Sequence, residues 1–84
     1  MQLINIGFGN LLNSQRILAA LSPESQPVKR ISQQAKADHM LIDATHGRKT
    51  RTVLLLDSGH VALSYLQPEK IATRLNGEVE HERE

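Results

Sequence analysis

Three cations follow a glycine in the middle of the chain, within the five residues from Gly47 to Arg51. Arg48, Lys49 and Arg51 are interrupted only by a threonine, and apolar runs lie on both sides of this segment, which we call the basic loop. Clustered guanidinium and ammonium groups gain most from a polyanion, because they displace the counterions condensed on its phosphates. The basic loop therefore predicts contact with nucleic acid, and we interpret it as a DNA-binding loop.

Two other basic residues, Lys29 and Arg30, follow Pro27 and are candidates for widening the basic surface. The competing interpretation is that they form the solvated face of a helix. The chain has one phenylalanine, one tyrosine and no tryptophan, so it offers no stacking platform for unpaired bases. Double-stranded DNA is therefore the expected nucleic acid.

Catalysis and metal binding find little support in the sequence. Gly7-Phe8-Gly9 is only a fragment of the dinucleotide-binding signature, and its two glycines favour a turn between strands. No Ser, His and Asp set has a recognisable nucleophile context, and there is no cysteine. The histidines lack the paired helical spacing of zinc ligands; they are His39, His46, His60 and His81. We expect neither an enzyme nor a cofactor, metal or small-molecule substrate.

The length of the chain, 84 residues, is enough for one small domain. A domain of this size buries only roughly 60 to 65% of the surface that its unfolded chain exposes. Without cysteines to crosslink it, self-association is the usual way to supplement such a core. The apolar run at residues 53–56 is far too short to cross a bilayer, and no signal peptide is apparent. We expect a soluble, cytoplasmic homo-oligomer that associates with the nucleoid.

The net charge of +1 conceals an asymmetry between the body of the chain and its end. Residues 78–84 hold four acids and one base, which leaves nine bases, five acids and a net charge of +4 for residues 1–77. An acidic end of this kind is typically a solvated, disordered tail. The alternative is a tail that competes with nucleic acid for the basic loop. We predict a single domain over residues 1–77.

Hydrophobic periodicity predicts six strands and two helices. Val28, Ile31 and Ala35 form one apolar stripe, and serines and prolines before them favour a helix start. A second helix should begin at Pro68 and end at residues 76–77, with residues 71, 72 and 75 on one face. The predicted strands lie near residues 3–6, 11–12, 17–21, 40–45, 52–56 and 61–65, and the helices cover about 25–38 and 68–75.

The strand at residues 52–56 is apolar at four consecutive positions, so it should be covered on both faces. The first helix would cover one face, and a neighbouring subunit is one candidate for the other. The connection before this strand is too long for a two-residue turn, so the basic loop should project from the sheet. The predicted fold class is α+β, a small antiparallel sheet with one central helix and a short C-terminal helix.

The arrangement of these residues resembles the RemA family of small bacterial regulators of extracellular-matrix genes. The similarity runs colinearly from residue 4 to about residue 75. The segments that carry it are Ile4-Asn5-Ile6-Gly7-Phe8-Gly9-Asn10, Arg16-Ile17, Ser22-Pro23-Glu24-Ser25, Pro27-Val28-Lys29-Arg30, Leu41-Ile42-Asp43-Ala44-Thr45, Gly47-Arg48-Lys49-Thr50-Arg51 and Gln67-Pro68-Glu69.

This resemblance implies a DNA-binding transcription regulator of matrix and biofilm genes that assembles into a ring, commonly described as octameric. It also implies that two adjacent arginines of the loop contact DNA, and these fall on Arg48 and Lys49. Lysine keeps the charge but loses the planar fork that grips phosphate or guanine bidentately. His46 stands where family members often have tyrosine. Two interpretations are open: the histidine adds a pH-sensitive charge beside phosphate, or it is simply a solvent-exposed side chain.

Arg16 matches a family position associated with function, so the resemblance makes it a second candidate DNA contact. The alternative is an ion pair between Arg16 and a carboxylate across a subunit interface. Each subunit offers few phosphate contacts, so useful affinity would require several loops in one assembly. Two other functions remain open, namely an RNA-binding module and a ring-forming scaffold whose basic loop docks an acidic protein.

Overall fold

Two small β-sheets and two helices make up the computed structural model, which describes residues 2–77. The predicted acidic tail, residues 78–84, lies outside the described residues. In chain order the elements are β1 (Leu3–Asn5), β2 (Leu11–Asn13), a 3-10 turn (Ser14–Arg16), β3 (Ile17–Leu21), α1 (Gln26–Ala37), β4 (Leu41–Asp43), β5 (Thr52–Leu56), β6 (Val61–Ser64) and α2 (Pro68–Leu75). The α+β class and both helices are therefore confirmed. Neither helix is long and apolar enough to cross a membrane.

The strands form a β1–β2 hairpin and a separate four-stranded sheet in the order β3-β5-β6-β4. β3, β5 and β6 are antiparallel to their neighbours, whereas β4 runs parallel to β6. The prediction of a single antiparallel sheet is therefore wrong. The reason is that residues 44–51 cross the end of β6, which puts β4 on one side of β6 and β5 on the other.

The four-stranded sheet is covered on both faces by the chain itself. Val53 faces a cluster that includes Val28 and Ala35 of α1, while Leu54 faces a cluster that includes Ile4 of β1 and Ile71 of α2. Successive strand residues point to opposite faces, so a strand buried on both sides is apolar at every position. The double coverage predicted for β5 is thus confirmed, but α2 and the β1–β2 hairpin provide the second cover rather than another subunit.

Local sequence chemistry defines both helices. The hydroxyl oxygen of Ser25 accepts a hydrogen bond from the backbone N–H of Val28 at 3.3 Å, which caps the first turn of α1, and a proline lies in that turn. α2 begins at Pro68 without a side-chain cap. Ile71 is fully buried and Leu75 packs beside it, as predicted, whereas Ala72 is exposed. The prediction that Ala72 shares a face with Ile71 and Leu75 is wrong, because adjacent helix residues lie about 100° apart and Ala72 is turned away from that face.

Candidate nucleic-acid interface

The basic loop is the second half of the connection 44–51, and hydrogen bonds fix both ends of that connection to β6. The backbone N–H of Ala44 donates to the Leu63 carbonyl at 3.0 Å, and that of Arg51 donates to the Ser64 carbonyl at 2.8 Å. Between them, the N–H of Arg48 donates to the Thr45 carbonyl at 2.9 Å and closes a four-residue turn. The loop extends from one end of the sheet, as predicted, and its backbone is held in place.

The turn from Thr45 to Arg48 has positive φ angles at both central residues, +54° at His46 and +83° at Gly47. This is the pattern of a type I′ turn, which favours glycine at the second central position. The basic loop therefore begins on a tight turn whose geometry favours glycine at position 47.

The carboxylate of Asp43 organises the start of the connection. It accepts hydrogen bonds from the hydroxyl of Thr45 at 2.6 Å and from the Thr45 backbone N–H at 2.9 Å. The hydroxyl bond, followed by the backbone bond, lowers the pKa of Asp43 below its ordinary value of 3.8, while partial burial opposes the shift. Thr45 is buried. This small network directs the chain from β4 into the turn that precedes the cations.

The three cations of the basic loop are exposed, and no described carboxylate forms an ion pair with them. Within residues 2–77, no carboxylate lies within 4 Å of the charged nitrogens of Arg48, Lys49 or Arg51. Together with Tyr65 they line an open depression of about 320 Å³. Like charges that are held together without counter-charges create a positive potential that attracts anions.

Two carboxylates lie at the other side of the loop. Lys49 and Arg51 share a second depression, of about 210 Å³, with Glu24 and Glu69, which lie just before α1 and in the first turn of α2. These acids are too far from the cations for ion pairs. They make the surface on that side more negative, so the face shared with Tyr65 is the more favourable one for a polyanion.

A cluster of three rings, which we call the aromatic cluster, packs beside the basic loop and consists of Phe8, His46 and Tyr65. The Phe8 ring centroid lies 4.8 Å from that of His46 and 4.7 Å from that of Tyr65. The guanidinium carbon of Arg48 lies 5.4 Å from the centroid of the Tyr65 ring. The sequence alone did not indicate this cluster, because its members are 19 or more positions apart and belong to three different segments.

Gly7 makes room for the aromatic cluster. A Cβ atom at this position would lie 2.7 and 2.9 Å from two carbons of the Tyr65 ring, and the φ angle of Gly7 is +126°. The turn that follows, from Gly7 to Asn10, repeats the pattern of the Thr45–Arg48 turn, with φ angles of +54° at Phe8 and +78° at Gly9. The turn predicted for Gly7-Phe8-Gly9 is confirmed, and it also supports the tyrosine.

Arg16 lies away from the basic loop. It precedes β3 at the end of the sheet where β5 finishes, and its guanidinium is 3.1 Å from the carboxylate of Asp57 in the same chain. The basic loop precedes the other end of β5, whose five residues span roughly 16 Å. The structure therefore does not bring Arg16 together with Arg48, Lys49 and Arg51, and it supplies a partner for Arg16 that the sequence did not identify.

Lys29 and Arg30 lie near the start of α1 and are exposed. The residues just before α1 share a depression with Lys49 and Arg51, so this helix begins at the end of the sheet that carries the basic loop. The buried stripe predicted for α1 is observed at Val28 and Ala35. Both interpretations of Lys29 and Arg30, a solvated helix face and a flank of the basic surface, are compatible with these positions.

Metal-ligand geometry is not found within the described part of the chain. Across residues 2–77, no three His, Asp or Glu side chains converge in the way that would hold a metal ion. His60 instead contacts the hydroxyl of Ser58 through Nδ1 at 2.8 Å, within the turn between β5 and β6. His81 lies outside the described residues.

Comparison with known proteins identifies close relatives along nearly the full chain. The family model that matches residues 3–75 is described as RemA-like, extracellular matrix regulatory protein A-like. A relative from Dictyoglomus turgidum is 61% identical over 77 residues, which cover 92% of this chain and 91% of that protein. One from Thermoanaerobacter sp. is 56% identical over 80 residues, covering 95% and 83%, and one from Bacillus cereus is 54% identical over 80 residues, covering 95% and 92%. Their names describe all three as candidate regulatory proteins.

Proposed function

This chain belongs to the RemA-like family, and on that premise we propose that it is a transcription regulator that binds duplex DNA through the basic loop. Several copies of the loop, presented by a homo-oligomeric ring, bind the same duplex at once. The regulated genes include those of the extracellular matrix and biofilm, and the protein acts in the cytoplasm at the nucleoid.

The observation that carries this proposal is the state of Arg48, Lys49 and Arg51. All three are exposed on a backbone that is hydrogen-bonded at both ends, and no carboxylate within residues 2–77 pairs with them. A cation without an internal partner loses no ion pair when it meets a phosphate, and it releases counterions from the DNA. Arg48 supplies a planar fork for bidentate contacts, whereas Lys49 supplies a point charge.

Several loops are needed because one is weak. Each phosphate contact adds roughly 0.9 to the slope of log affinity against log salt concentration, and one subunit offers about two or three contacts. When loops are linked in a rigid assembly, each contact after the first is intramolecular, so the affinities multiply. Self-association is supported by the edge strands of the four-stranded sheet, where Leu18 of β3 is 70% exposed and Ile42 of β4 is 38% exposed.

A salt titration of DNA binding tests the function. We expect Arg48→Ala and Lys49→Ala each to weaken binding of a labelled mixed-sequence duplex and to reduce the salt slope by about 0.9 for each contacting loop. Lys36→Ala is the matched control, because it removes one charge from the last turn of α1, at the far end of the sheet. Equal affinities for the wild type and the double variant Arg48→Ala, Lys49→Ala would refute the proposal.

Competition and assembly measurements separate the alternatives. If structured RNA displaces the labelled duplex at a lower concentration than unlabelled duplex DNA does, at the same salt concentration, the protein would be an RNA-binding module instead. Failure to bind either nucleic acid, together with retention of the ring, would support a protein scaffold. Light scattering that finds single subunits binding the duplex tightly would contradict the multivalent mechanism. Mapping of bound DNA across the genome, with the wild type and the double variant, would identify the regulated genes.

A further inference from the structure

We infer that Tyr65 is a positioning residue for Arg48, and that it holds the guanidinium ready for a directional contact with DNA. This inference rests on the proposed function, because it assigns a role within the same interface. Tyr65 is a half-buried residue of the stretch that follows β6, outside the basic loop itself.

The geometry of Arg48 and Tyr65 is that of a cation–π pair. The guanidinium carbon lies 5.4 Å from the ring centroid, within the range of about 6 Å over which such pairs attract. Within the described residues, no hydrogen bond or ion pair involves the side chain of Arg48. The contact with the Tyr65 ring is therefore the interaction that restrains this side chain in the free protein.

A ring is a suitable support for an arginine that must still bind something else. The N–H donors of a guanidinium lie in its plane, so a contact made through the π-face of the ring leaves them available for phosphate or for a guanine edge. A carboxylate partner would instead occupy those donors. An unrestrained arginine also loses rotamer entropy when it is fixed, and a side chain that is already restrained loses less.

Tyr65 is itself held in place from three directions. The Phe8 ring packs against it at 4.7 Å, and Gly7 lies under its edge, where any side chain would collide with the ring. The backbone on both sides is fixed by Ser64, whose buried hydroxyl donates to the Ile6 carbonyl at 2.7 Å and accepts from the Leu66 N–H at 3.1 Å. A support this rigid can transmit orientation to Arg48.

Lys49 provides an internal comparison. It is exposed like Arg48, but no ring in the described part of the chain contacts it, and its ammonium is a flexible point charge. Loss of the Tyr65 ring should therefore change the contribution of Arg48 and leave that of Lys49 unaltered. This asymmetry makes a double-mutant cycle decisive.

The test measures affinity for a labelled mixed-sequence duplex about three helical turns long by fluorescence anisotropy at fixed salt. We expect Tyr65→Leu to weaken binding about two- to fivefold for each contacting loop, which is about 0.5 to 1 kcal/mol at 1.4 kcal/mol per tenfold change. Tyr65→Phe keeps the ring and should bind as the wild type does. Tyr65→Leu should have no further effect in an Arg48→Ala background and its full effect in a Lys49→Ala background.

Several results would overturn the inference. One is that Tyr65→Leu binds the duplex with wild-type affinity. Another is that Tyr65→Leu weakens binding as much in the Arg48→Ala background as in the wild type. A third is that the weaker binding is accompanied by a changed elution volume in size-exclusion chromatography. The last result would assign Tyr65 to subunit contacts. A wild-type protein that binds no duplex would overturn the proposed function together with this inference, whereas normal binding by Tyr65→Leu would overturn this inference alone.

Two further measurements do not depend on the folding of Tyr65→Leu. Gly7→Ala should displace the Tyr65 ring and weaken binding, while Gly9→Ala, which also has a positive φ but no atom within 4 Å of the added Cβ, should not. In the wild type, NMR should show an upfield ring-current shift of the Arg48 side-chain protons. Absence of that shift would show that the ring does not hold the arginine.

Discussion

Ser64 connects the end of β6 to the end of β1, and its removal provides the sharpest test of how the interface is supported. Its side chain is completely buried and makes two hydrogen bonds, donating to the Ile6 carbonyl and accepting from the Leu66 N–H. Ser64→Ala removes the hydroxyl that makes both bonds and leaves the Ile6 carbonyl and the Leu66 N–H without this partner. Each lost bond costs about 1 kcal/mol, and more where a buried group is left unpaired, so we expect a loss of about 2 to 4 kcal/mol in the free energy of unfolding.

Urea denaturation followed by circular dichroism measures this loss, and several protein concentrations separate subunit folding from assembly. Ser58→Ala is the matched control, because Ser58 is exposed and its bonds within residues 2–77 stay in its own turn, so its effect should stay within about 0.5 kcal/mol. Thr52→Val removes one buried hydrogen bond, to the Leu66 carbonyl, and should fall between the two. If Ser64→Ala were as stable as Ser58→Ala, the hydrogen bonds of Ser64 would not stabilise the packing of the two sheets.

Three further predictions concern the core, the start of the loop connection and the far end of the sheet. Leu54→Ala should destabilise the protein by about 2 to 5 kcal/mol in urea denaturation, because Leu54 is fully buried. The wild type should have a higher free energy of unfolding than Asp43→Ala, and this difference should be constant above pH 3.8. It should shrink as the pH falls through the lowered pKa of Asp43, because protonation of the carboxylate ends its bonds from Thr45. Unfolding midpoints measured at a series of acidic pH values would show this change. A double-mutant cycle on Arg16 and Asp57 in thermal denaturation should give a coupling below about 1 kcal/mol, because both side chains are exposed.

Much of the fold could be predicted because its signals are local. The stripe of Val28 and Ala35, preceded by a capping serine and a proline, determines α1 within a dozen residues. The apolar run of β5 indicates burial on both faces for the same reason, since it reflects the alternation of side chains along one strand. The basic loop was visible as a cluster of neighbours in the sequence and remains a cluster in space.

The remaining features depend on contacts between distant segments. The parallel pairing of β4 with β6 depends on the path of residues 44–51 across the sheet end, which hydrophobic periodicity does not describe. The same is true of Arg16, whose partner Asp57 is 41 positions away. The sequence did not predict the aromatic cluster, because the composition gives the number of rings but not their contacts. Two of the rings lie in separate turns and the third follows a strand, so only the folded chain brings them together.

The two type I′-like turns have the same design, with an aromatic residue followed by glycine at the central positions, and their rings, Phe8 and His46, rest on each other. A change of size at one of these rings alters the space available to the other and to Tyr65. Natural variation at positions 8, 46 and 65 should therefore be correlated, with a smaller ring at one position accompanied by a larger one at another. Selection would then act on these three residues jointly, although they are far apart along the chain.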